Sequence, residues 1–92
     1  MKIAITKTLM ETFVPTYFNI IDESHLHAKH YKGPTDTGTH FNVTLVSDNF
    51  ENINKVKRHQ MVYNTCKRFF SAGMHALALH LYDTEEWRQK HG

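Results

Sequence analysis

His40-Phe41-Asn42-Val43-Thr44-Leu45-Val46-Ser47 sets Phe41, Val43 and Leu45 in alternation against Asn42 and Thr44. That period of two is the signature of a strand with one face on a core. A second apolar strand reads from His75 to Tyr82. Between the two, residues 53–71 carry Val62, Cys66, Phe69 and Phe70 at helical spacing, with Val56, His59 and Tyr63 close to that face. Asn52 or Asn54 can cap the start of this helix, and Gly73 follows its end. A strand, a long helix and a strand make a crossover long enough for parallel pairing, expected to be right-handed.

Outward from this unit, Ile5, Leu9 and Phe13 recur at intervals of four, which predicts a helix over 2–13 ended by Pro15. Tyr17-Phe18-Asn19-Ile20-Ile21-Asp22 is rich in β-formers and predicts a first strand, antiparallel to the 40–47 strand. Asp48-Asn49 turns the chain, with Phe50 folding back onto the core. Asp83-Thr84-Glu85-Glu86 resembles a capping box for a final short helix holding Trp87. The order is α-β-β-α-β-α. It predicts one α+β domain over residues 1–92, a three-stranded mixed sheet packed on helices.

Ninety-two residues allow a single modest core. A net charge of +2 with histidines neutral is too mild for a wholesale nucleic-acid binder. No apolar run reaches a membrane-spanning length. Met1–Lys7 lacks a signal-peptide stretch, and the one cysteine, Cys66, fits a reducing compartment, so a cytoplasmic address is expected. A processed organellar form would read the same way.

Four of the eight histidines fall between positions 25 and 40, in a connection over 23–38 marked by Gly33-Pro34 and Asp36-Thr37-Gly38. Imidazole is the commonest metal ligand and the side chain that titrates nearest neutrality. Parallel pairing of the second and third strands would bring His75 to the corner where His25, His27 and His30 begin. Cys66, on the apolar helix face, suits a core thiol better than a ligand. No nucleophile, base and orienter set and no Gly-rich phosphate loop is present, so the chain reads as non-catalytic.

Asp22-Glu23-Ser24-His25, Thr39-His40-Phe41, Val46-Ser47-Asp48-Asn49-Phe50, Arg58-His59 with Val62-Tyr63, His75-Ala76-Leu77 and Trp87 resemble, in order and spacing, the signature blocks of the BolA family. The resemblance spans residues 5–88. It implies a class II KH-like fold and a partnership with monothiol glutaredoxins in iron–sulfur cluster assembly, delivery or iron sensing. In such heterodimers a [2Fe–2S] cluster is shared, with the glutaredoxin cysteine and a glutathione thiol supplying part of the coordination. Alone, the protein would be a monomer without cofactor.

The family's ligands are a histidine in the His-Ala-Leu block, which falls on His75, and a loop histidine or cysteine. Counting from Asp22-Glu23-Ser24, that loop position falls on His27, with His25 and His30 within three residues of it. His40 matches a separate block. Neutral imidazole in place of anionic thiolate would raise the cluster potential, as in Rieske centres.

A second reading is DNA binding, because some BolA-family members are described as transcriptional regulators. Lys55, Lys57 and Arg58 crowd the start of the long helix, where the macrodipole disfavours cations and a phosphate would welcome them. The Gly-x-x-Gly tetrad with which KH domains clamp RNA is missing.

Overall fold

The computed structural model describes residues 1–24 and 39–91. The elements are α1 (Lys2–Phe13), β1 (Tyr17–Asp22), β2 (His40–Val46), a 3-10 turn (Asp48–Phe50), α2 (Lys55–Thr65), α3 (Lys67–Ser71), β3 (Ala76–Tyr82) and α4 (Thr84–His91). The sheet has the order β1-β2-β3, with β1 antiparallel and β3 parallel to β2. This is the mixed sheet that the strand, helix and strand pattern predicts.

One face of the sheet is covered. Phe41, Val43 and Leu45 from β2 and Leu77, Leu79 and Leu81 from β3 meet Ile5, Leu9 and Phe13 of α1, Val62 and Cys66 of α2, and Phe69 of α3. Phe50 folds back among them, fully buried, its ring 5.3 Å from that of Phe13. The opposite face carries Asn19, Ala78 and His80, all exposed, with Asn42 and Thr44 half-buried between them. Ser47, where β2 ends, is buried because its hydroxyl donates to the Phe13 carbonyl at 2.7 Å and accepts from Asn49 N. That pair of bonds ties the end of α1 to the end of β2.

Three local devices set the element ends. Val14 closes α1 in the left-handed region at φ 45°, a costly conformation for a β-branched residue, and Pro15 follows it. Asn54 caps α2 by accepting from Lys57 N at 2.8 Å. Asp83 and Glu86 form the reciprocal capping box of α4, each accepting from the other's backbone N–H at 2.8 Å.

The expected continuous helix over 53–71 is two helices. Cys66 sits at φ −95°, ψ 5°, outside helical geometry, and Phe69 N bonds back only three residues to the Cys66 carbonyl. The break lets Phe69 enter the core while Arg68 reaches across to Thr8. Val56, expected near the apolar face, is 69% exposed. No helix among the described residues is long and apolar enough to cross a membrane.

Candidate functional site

Parallel pairing places the start of β3 beside the start of β2, with His40 opposite Ala76 in register. His75 therefore arrives at the corner where β1 ends. The corner is braced through backbone and hydroxyls. Ser24 Oγ accepts from Thr39 N at 2.7 Å and from His40 N at 3.2 Å, joining the two flanks of the 25–38 stretch. Asp22 fixes Ser24 in turn by accepting from its N–H at 2.9 Å. The Thr39 carbonyl accepts from both His75 N, at 2.7 Å, and Ala76 N, at 3.1 Å. Ser24, Thr39 and His75 thus form one continuous hydrogen-bonded path.

The His75 ring lies exposed, 5.8 Å from the His40 ring and perpendicular to it at 89°. His40 Nδ1 is 2.8 Å from Thr39 Oγ1, which orients the His40 imidazole from behind. Two imidazoles, one opening β2 and one just before β3, therefore share one end of the sheet. Among the described residues no three His, Cys, Asp or Glu groups converge as a metal site. The fuller donor set at this corner would need residues of the 25–38 stretch or of a partner. His25, His27 and His30, the expected loop candidates, lie outside the described residues.

The remaining candidates fall elsewhere. Lys55 and Lys57 are exposed on the first turn of α2. Arg58 is not with them, which corrects its assignment to a basic contact surface. It is 4% exposed, with Nε donating to the Ile53 carbonyl at 2.7 Å, Nη1 to Glu86 at 2.6 Å, and Asp83 3.6 Å away. That guanidinium hydrogen bond, together with the Asp83 backbone N–H, holds the Glu86 carboxyl below the usual glutamate range. Arg58 is a buried rivet between α2 and α4.

His59 Nδ1 lies 2.8 Å from the Lys55 carbonyl within its own helix, and His91 packs on Trp87. Cys66 is a core thiol as expected, and burial pushes it up to about 11. Sequence reasoning set His40 in a block of its own. Its proximity to His75 was nevertheless implicit in the parallel register. Ser24 and Thr39 stand within the quoted family-like blocks, but nothing in the sequence marks the Ser24 hydroxyl and the Thr39 backbone as the braces of the corner.

With this geometry in place, a family model described as BolA-like protein matches residues 9–86. The chain is similar to the protein named DNA-binding transcriptional regulator BolA of Escherichia coli (strain K12), with 39% identity over 83 residues, covering 90% of this chain and 75% of that one. Among solved structures, BolA1 from Arabidopsis thaliana aligns with a TM-score of 0.86 at 36% identity, covering 94% of each chain. The BolA domain of SufE1 from the same plant aligns with a TM-score of 0.81 at 31% identity, covering 91% of this chain and 92% of that one.

Proposed function

The chain belongs to the BolA-like protein family, and we propose that it is a non-catalytic partner of a monothiol glutaredoxin. The two would share a [2Fe–2S] cluster in assembly, delivery or iron sensing. The observation that carries this reading is the exposed His75 side chain, on a backbone bonded to Thr39 at the corner next to Ser24, from which the sequence runs on to His25–His30. Imidazole is an established ligand of iron in such clusters, so the donor chemistry suits the group. His75 would hold the iron from this chain, with His27, or its neighbours His25 and His30, as the loop donor. The cluster, when bound, would supply electron acceptance and transferable iron and sulfide.

This chain's own residues do the positioning. Thr39 anchors the backbone of His75, and the His40 ring lies perpendicular to the His75 ring at 5.8 Å. Imidazole must be deprotonated to ligate, so cluster retention weakens in acid.

The test is anaerobic reconstitution of this chain with a monothiol glutaredoxin, glutathione, iron and sulfide, followed by visible circular dichroism. A spectrum distinct from that of glutaredoxin alone is expected. It should be lost in His75→Ala and weakened in His27→Ala. An unchanged spectrum in a folded His75→Ala variant refutes the assignment.

A second reading is favoured by a specific observation, the DNA-binding regulator named among the similar proteins. With Arg58 buried, that reading rests on Lys55 and Lys57 at the α2 start. Replacing both with alanine should flatten the dependence of log affinity on log salt by about 2 if each contacts a phosphate. Binding with no salt dependence would exclude it.

A further inference from the structure

The sheet has two edges, and they are built differently. In β3, Ala76 N donates to Thr39 and the Tyr82 carbonyl accepts from Ser47 N, so even-numbered residues bond inward to β2. Leu77, Leu79 and Leu81 therefore turn their backbone groups outward, and α2 meets the first and last of the three carbonyls. The Tyr63 hydroxyl donates to the Leu77 carbonyl at 2.7 Å, and Arg58 Nη1 to the Leu81 carbonyl at 3.4 Å.

In β1, Glu23 N donates to the His40 carbonyl, and the register then turns Tyr17, Asn19 and Ile21 inward in their backbone bonding. Phe18 and Ile20 present their N–H and C=O groups outward. Among the described residues nothing hydrogen-bonds to those outward groups.

The side chains along this bare edge are apolar. Tyr17 and Ile21 are 42% and 47% exposed on the face away from the core, Tyr17 with its ring stacked 4.8 Å from that of Trp87 in α4, while Phe18 and Ile20 are half-buried at the margin of the core. Tyr17–Ile21 contains no lysine, proline or glycine, the residues that usually blunt an exposed strand.

The order of these residues is self-complementary. An antiparallel second strand on a two-fold axis through Asn19 sets Phe18 opposite Ile20 of the second copy and Tyr17 opposite Ile21 of the second copy. Each pair occurs twice, and aromatic with β-branched is a favourable cross-strand combination on both faces. Asn19 meets its own copy in the close, non-hydrogen-bonded site, amide to amide. Shifting the axis to Ile20 instead sets Phe18 against the Asp22 carboxylate, which disfavours that register.

We infer that the β1 edge is a homotypic docking surface, on which a second copy of this chain adds its own β1 to form a continuous six-stranded sheet about Asn19. A contact of this length buries less than the roughly 1,200 Å² of a stable complex, so the pair is weak and forms at high concentration. It uses the edge opposite β3 and leaves His75 accessible.

The experiment is sedimentation velocity on the full chain from about 10 µM to about 1 mM, the range in which weak pairs populate. It is joined by hydrogen exchange of the Phe18 and Ile20 amides. Wild type should sediment faster as concentration rises, with both amides slowing and Leu79 N–H unaffected. Asn19→Lys, an exposed change that sets like charges face to face at the axis, should weaken association at least about tenfold without altering the fold.

Asn19→Cys should cross-link under mild oxidation at least about tenfold faster than the exposed control Gln60→Cys, since close antiparallel pairs suit disulfide geometry. Sedimentation independent of concentration, association that survives Asn19→Lys, or equal cross-linking of the two cysteine variants would each overturn the inference. Protection of Phe18 and Ile20 by a foreign strand without self-association would overturn the second copy as occupant.

Discussion

Replacing Glu86 by glutamine isolates one charge in the joint between α2 and α4. Glutamine keeps an oxygen that can accept from Asp83 N, so the capping box survives. What is lost is the anionic partner of Arg58, 2.6 Å away. A hydrogen bond to a charged group contributes about 1.5–3 kcal/mol. Here the Arg58 side chain is 5% exposed but that of Glu86 is 42% exposed, so solvent screens one end and the lower part of that range applies.

The expected loss at pH 7 is therefore about 1.5–2 kcal/mol, a fall in Tm of roughly 6–16 °C for a domain of this size. The pH dependence has a definite sign. Glu86 titrates below its ordinary value in the folded chain, chiefly through the Arg58 hydrogen bond, so its contribution is present above the unfolded value of about 4.3. It is lost as pH falls through the lower, folded value. The gap between wild type and Glu86→Gln should be full at pH 6–7 and close on further acidification. Urea unfolding followed by fluorescence of Trp87, the sole tryptophan, measures it. A gap below about 0.3 kcal/mol at pH 7, or one that stays constant into acid, would refute the reasoning.

Two further outcomes concern the core. Ser47→Ala removes the hydroxyl that serves Phe13 and Asn49 in a buried setting and should cost about 1–3 kcal/mol by chemical denaturation. Cys66, buried and raised to about 11, should resist a thiol reagent at pH 8 until urea unfolds the chain. Labelling of the native chain at the rate of a free thiol would contradict that.

What the sequence disclosed depended on how local each cause was. The alternation of Phe41, Val43 and Leu45 follows directly from facing a core, and Asp83 with Glu86 writes its capping box within one turn. The break at Cys66 was illegible because Val62, Cys66 and Phe69 keep helical phase through it, and no glycine or proline marks it. Arg58 read as one more surface cation beside Lys55 and Lys57. Its burial is set by Asp83 and Glu86, which lie far along the chain and become neighbours only after β3 forms. The corner lay between these cases. The parallel register, readable from the pattern, brought His75 beside His40, whereas the bracing by Ser24 and Thr39 required backbone geometry.

The Tyr63 hydroxyl on the Leu77 carbonyl bears on more than the stability of one helix. A protein with two sticky strand margins can add copies at both ends and grow without limit into a filament. With one margin stoppered by α2, end-to-end growth halts after a single addition. Tyr63→Phe bares the Leu77 carbonyl while Arg58 still holds that of Leu81, so the variant should show only a modest gain in light scattering over the parent chain at high concentration.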